Sequence, residues 1–176
     1  MYEVRKCSRT VDGRRRMTKL STQKITLAAL FISLAAVGGM IKIPLGVASI
    51  ALDSLPALVA VLFLSAPLAG TVAVLGHLIS ALFGGMPLGP FHLIIALEMW
   101  AAVWIFAKLH AAGKNVLKWP VFVLCNGVLA AIPFYFLLSP AFFYVSVPGL
   151  LVAASINAAG AAIVMPFMNK VGEKVW

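Results

Sequence analysis

Residues 68–107 read LAGTVAVLGHLISALF, GGMPLGP, FHLIIALEMWAAVWIFA. Two long apolar runs flank a cluster, Gly84 to Pro90, in which three glycines and two prolines fall within seven residues. Such a cluster marks a turn. Glu98 is the only formally charged side chain in the whole stretch. A bilayer's hydrocarbon core is crossed by about 20 predominantly apolar residues, with a range of about 17 to 25. The stretch therefore predicts two membrane helices joined by a tight loop.

The rest of the chain agrees. Of 176 residues, 62% are hydrophobic and 11% charged, whereas soluble domains are roughly half apolar and about a quarter charged. Lipid as the solvent accounts for the excess. The net charge of +9 is concentrated at the start, where Arg5, Lys6, Arg9, Arg14, Arg15, Arg16, Lys19 and Lys24 precede the first apolar run. A basic flank beside an apolar helix reads as a topology signal and a contact for anionic lipid rather than for nucleic acid. Residues 1–23 are expected to form a basic, disordered cytoplasmic tail. They do not read as a cleaved signal peptide, because the basic region is long and the apolar run continues without a cleavage site. Cys7 and Cys125 lie on unrelated segments, so neither a disulfide framework nor a metal pair is suggested.

Six helices are expected, over residues 24–41, 48–64, 68–83, 91–107, 120–138 and 149–168, forming one membrane domain over residues 24–176. The fold class is thus an all-α integral membrane protein, a six-transmembrane-helix bundle. The second and third segments are short. Either the bundle is thin and tilted or the neighbouring loop dips into the membrane, where protein or water must satisfy its backbone. With a cytoplasmic N-terminus, six crossings place Lys108, Lys114, Lys118, Lys170 and Lys174 inside and leave Lys42 as the one basic residue outside. This satisfies the positive-inside rule with Lys42 as its single exception and predicts a multi-pass membrane protein with both termini cytoplasmic.

Ionisable groups at membrane depth cost about 2.5 to 3.5 kcal/mol near the centre and therefore need partners or a task. Glu98 stands about eight residues into the fourth helix from the outside, roughly 12 Å deep at about 1.5 Å per residue. Phe91 shares its face, whereas Trp100 points elsewhere. Asn157 stands at a matching depth in the sixth helix, where its amide can bind a ligand or another helix. His92, at the outer start of helix four, is a further ligand candidate. Asp53 is expected to cap the second helix, with Lys42 as an ion-pair partner across the loop. His77 fits packing and binding equally well, and Asn126 reads as structural. Phe142, Phe143 and Tyr144 lie in an expected outer loop over residues 139–148, as an interfacial belt or a cover for a flat ligand.

On the first helix, Ala29 and Ser33, with Ala36 one turn on, offer small residues at a spacing that admits another helix. Ala35 and Gly39 form a second such pair. No phosphate-binding loop, zinc-protease motif or nucleophile elbow occurs, so neither ATP chemistry nor an enzyme is indicated. If the chain drives uptake, its energy must come from another subunit or from an ion gradient. A self-powered secondary transporter is therefore the competing reading, with the short segments supplying unwound backbone.

The succession Ile43-Pro44, then Ala51-Leu52-Asp53-Ser54-Leu55-Pro56-Ala57-Leu58, Ala66-Pro67-Leu68-Ala69-Gly70 and Gly76-His77-Leu78-Ile79-Ser80-Ala81-Leu82 resembles the substrate-binding S components of energy-coupling factor (ECF) transporters. Residues 84–99 look most like the branch that salvages alpha-ribazole, a precursor of the cobalamin lower ligand; pantothenate and folate branches share much of the framework. The resemblance implies high-affinity vitamin binding near the outer face, in a pocket formed by helices four to six and gated by the loop between helices one and two. It also implies docking of a transmembrane coupling subunit, powered by two ATPases, on an A-x-x-x-A pattern of helix one. Ala29 and Ser33 meet that pattern approximately. No cofactor and no metal is implied. The expected ligand residues are Glu98, Asn157, His92, Phe91, Asp53 and Tyr144, and the expected docking residues are Ala29, Ser33 and Ala36.

Overall fold

A computed structural model describes residues 21–45 and 48–175. The tail expected over residues 1–23 falls almost wholly outside them. At its edge, Ser21 caps the first helix, α1 (Thr22–Met40), its Oγ accepting from Lys24 N at 3.4 Å.

After α1 the chain does not continue as a bare loop. Strand β1 (Lys42–Leu45) pairs antiparallel with β2 (Ala48–Ala51), Lys42 opposite Ala51 and Leu45 opposite Ala48. The hairpin is tied to the end of α1 by Leu52 N donating to Gly38 O at 3.1 Å. The helix expected to begin at residue 48 therefore begins at Ser54. Cross-strand pairing satisfies backbone groups that an irregular loop would leave open beside lipid.

The second helix, α2 (Ser54–Ala60), has seven residues, and all but Leu55 are buried. It touches α1, the third helix α3 (Ala66–Phe83), the fourth helix α4 (His92–Ala111) and the last helix α7 (Pro140–Val175). A helix that is apolar all round belongs in an interior, and α2 lies in the centre of the bundle. Its seven residues rise only about 10 Å. Five other segments are long and apolar enough to cross a membrane: Thr22–Met40, Ala66–Phe83, Gly89–Ala111, Lys118–Leu137 and Pro140–Lys170. The molecule is a membrane-embedded helical bundle; of the six expected segments, five are long enough to cross a membrane among the described residues, and the second, already short in the sequence, is a seven-residue interior helix.

Two more boundaries are corrected. The aromatic loop expected over residues 139–148 is helical from Pro140 onward and forms the start of α7, which carries Pro148 and Pro166 within it. Proline is tolerated there because neighbouring helices can satisfy the backbone it frees. The polar connection expected over residues 108–119 is shorter. The fifth helix, α5 (Lys118–Gly127), opens on a buried Lys118 whose Nζ lies 2.8 Å from His110 Nδ1 and 4.9 Å from the centre of the Trp119 ring. A short 3-10 turn (Leu129–Ala131) then leads to the sixth helix, α6 (Ile132–Leu137).

Close approach between helices depends on small residues, since lipid removes most of the hydrophobic drive for association. The Ala35–Gly39 pair of α1 packs against α3. A side chain at Gly76 would collide with Ala35, and one at Gly39 would collide with Ser80. Ser80 Oγ donates to Gly39 O at 3.1 Å and closes the seam. On the other flank of α3, Trp100 of α4 lies across Gly70. The packed centre gathers Phe31, Leu58, Val72, Val103, Phe106 and Phe122.

Candidate ligand-binding cavity

One end of the bundle encloses a cavity of about 220 Å³. The base of the hairpin, the start of α2, the last turns of α3, the first turns of α4, α6 and the first half of α7 enclose it. Pro87 and Leu88, from the loop after α3, form part of the rim. The next residue back, Met86, has φ of 47°, a left-handed conformation uncommon for a side chain of that size.

The polar wall is a chain of three side chains. Asp53 Oδ2 lies 3.1 Å from His77 Nδ1, and His77 Nε2 lies 3.2 Å from His92 Nδ1. Ser54 Oγ donates to the other carboxylate oxygen of Asp53 at 3.3 Å. Asp53 comes from the hairpin–α2 junction, His77 from α3 and His92 from the first turn of α4, so three elements meet at this chain. The far end is open, because His92 Nε2 is buried and has no hydrogen-bond partner among the described residues. On the α7 side, Ser146 Oγ is likewise buried and unpartnered, and Ser146 lines the cavity.

The remaining wall is largely apolar. Phe134 of α6 and Phe142 of α7 line it with ring centres 6.0 Å apart. Phe91 does not line the cavity; it stands edge-on to Phe134, with centres 5.9 Å apart, and buttresses that ring. Lys42, at the base of the hairpin, contributes its stem, while its Nζ donates to Ser80 O at the end of α3 at 3.2 Å. A cation is favourable at a helix C-terminus.

Several expected placements are thereby revised. Asp53 does not cap α2 with its side chain; its carboxylate is taken up by His77 and Ser54. Nor does it pair with Lys42, which is engaged at Ser80. The cap comes from Asn157 of α7, 2% exposed. Its Oδ1 accepts from Leu55 N at 2.8 Å, and its Nδ2 donates to Ala51 O at 2.7 Å and to Ala153 O at 2.9 Å. Asn157 therefore touches the cavity with both amide hydrogens already committed. Glu98 was expected to face the same space and does not line it. It lies about 100° around α4 from the His92–Met99 line, as the 3.6-residue period requires, and its Oε2 is buried without a partner. Tyr144 is 66% exposed and joins an aromatic cluster with Tyr135 and Phe143 outside the cavity.

His77 and Phe142, both of divided reading in the sequence, line the cavity, as does Asn126. The signal that marked His77 was present, a histidine in mid-membrane. Its partners lie 24 and 15 residues away on other elements, and no spacing rule connects them. Of the docking residues, Ala29 and Ser33 are exposed on α1, Ser33 Oγ folding back on Ala29 O at 2.9 Å, whereas Ala36 is buried. Among the described residues no three His, Cys, Asp or Glu side chains converge as a metal site.

These features define a class: a membrane-embedded helical bundle with a half-open, partly polar cavity at one end. No protein-family model, curated protein or solved structure matches the chain.

Proposed function

We propose that this chain is the substrate-binding S component of an ECF-type importer, with the cavity beneath the hairpin as its vitamin site. The observation that carries the reading is the cavity itself, lined by Phe134, Phe142, His92 and Ser146, the last two each holding a buried polar atom without a partner among the described residues. Small-molecule sites are typically apolar clefts of about 300 to 1,000 Å³ with a few fixed polar groups. A volume of about 220 Å³ suits a small, flat ligand with one or two polar edges. Pocket walls drawn from the segment after α1 and from α4, α6 and α7 agree with the resemblance in the sequence.

On this reading the ligand is alpha-ribazole or a related cobalamin precursor. Its benzimidazole ring lies against Phe134 and Phe142, and its sugar hydroxyls meet His92 and Ser146. The hairpin gates the site, and the hairpin together with α2 serves as the second of six crossings. The cavity then opens outward, the N-terminus is cytoplasmic, and the chain catalyses no reaction. The powered step belongs to a transmembrane coupling subunit and two ATPases.

The test is mass spectrometry of small molecules that copurify with the full chain from a cobalamin-salvaging bacterium, followed by calorimetric titration with alpha-ribazole. The expected result is a stoichiometric ligand whose binding is weakened at least tenfold by Phe142→Ala. A chain that binds no vitamin, or that accumulates solute alone in proteoliposomes under an ion gradient, overturns the reading.

A further inference from the structure

We propose that the Asp53–His77–His92 chain fixes the proton positions of both histidines, so that His92 Nε2 faces the cavity as a hydrogen-bond acceptor and selects ligands that present an O–H or N–H group to it. The inference deepens the proposed function and rests on the cavity being the binding site.

A neutral imidazole has one N–H and one bare nitrogen, and a partner at either position decides which is which. The carboxylate of Asp53 is the anchor. It can only accept, and Ser54 Oγ already donates to one of its oxygens. The group 3.1 Å from the other oxygen, His77 Nδ1, must therefore carry the proton. With His77 neutral, its Nε2 is then bare, with a lone pair directed at a nitrogen 3.2 Å away. His92 Nδ1 must supply the hydrogen there, since two bare nitrogens would repel. His92 Nε2 is consequently bare as well. The charge information of one carboxylate is passed through two rings to an atom that no described residue satisfies. A doubly protonated His77, ion-paired with Asp53, would instead donate from Nε2 and place the His92 proton on Nε2, the outcome the spectra below distinguish.

That atom is on a residue 7% exposed, and the other fully buried unpartnered polar atom in the cavity lining, among the described residues, is a hydroxyl able to donate or accept. A ligand acceptor placed at His92 Nε2 would leave two lone pairs facing each other away from water, while a donor completes the chain. Discrimination by one buried, specifically oriented hydrogen bond is strong, because the wrong ligand leaves the site's own polar group unpaired. The cavity's remaining charged side chain, Lys42, is held at Ser80 O at 3.2 Å.

The chain contains three histidines, His77, His92 and His110, so nitrogen-15 spectra of the histidine-labelled full chain in lipid nanodiscs can be assigned by single substitutions. The expected spectrum, without ligand, has Nδ1 protonated and Nε2 bare on both His77 and His92. Asp53→Asn, whose amide can donate, is expected to shift both rings toward the opposite tautomer and to leave His110 unchanged. A proton found on His92 Nε2 in the neutral wild-type chain overturns the proposal whether or not a vitamin binds. Titration with a benzimidazole nucleoside is expected to move the His92 Nε2 resonance while Nδ1 stays protonated. Calorimetric binding with no change at His92 would remove its role in selection. Absence of binding, with the tautomers as expected, would count against the proposed function and not against the chain of protons.

Discussion

Asp53 and Asn157 exchange the roles their chemistry suggests in isolation. A carboxylate just before a helix is a natural cap, and an amide in mid-membrane is a natural ligand group. Here the amide caps α2 from another helix, and the carboxylate is released to hold His77. The sequence made both residues legible as atoms in need of a partner, because polar groups at that depth are costly. It could not assign the partners, which lie on three different elements. Glu98 illustrates the same limit: its depth was readable, but its azimuth relative to the cavity depends on how α4 is turned against α3. Replacing Asn157 by Ala strands Leu55 N and Ala51 O, and leaving buried polar groups unsatisfied costs about 1–3 kcal/mol. Asn157→Ala is therefore expected to lower the thermal unfolding midpoint in micelles, with Asn157→Asp intermediate because it retains the acceptor. Wild-type unfolding in both variants would refute the trans cap.

Among the elements, α1, α3 and α4 were the most legible, because a long apolar run bounded by turn residues has few alternatives. The hairpin was not. Residues 48–51, Ala-Ser-Ile-Ala, run into a helical segment in sequence, and pairing with β1 separates them from it. The start of α7 was hidden for the opposite reason: Pro140 and Pro148 look like punctuation, yet Pro140 opens a membrane helix and Pro148 lies within it. The α1–α3 seam supplies a test of packing at this scale. A methyl at Gly76 would meet that of Ala35, and overpacking a tight contact costs about 1–3 kcal/mol. Gly76→Ala is expected to destabilise the protein, and Ala35→Gly is expected to restore much of the loss in the double variant. Additive effects, read from unfolding midpoints, would mean that the two helices are not in register as described.

At the scale of the whole molecule, α1 is two-sided. Ala35 and Gly39 are used inside the bundle, while Ala29 and Ser33, with Leu30, Leu34 and Val37 beside them, face outward. On the proposed function this outer face receives the coupling subunit. Ser33→Trp is then expected to leave calorimetric vitamin binding unchanged while lowering copurification of the coupling subunit at least tenfold; equal copurification would exclude this face.

The trans cap also bears on how the chain is made. Asn157 is added 102 residues after the backbone group it serves, and α2 is too short to be recognised as a membrane segment on its own. During synthesis α2 can pack on α1, α3 and α4, but its first turn lacks its cap until α7 arrives. Ribosome-bound chains stalled before residue 157 should accordingly leave this turn open to water-soluble labelling reagents, and chains released after it should protect it. Biogenesis would thus finish in its interior, with the cavity closing last.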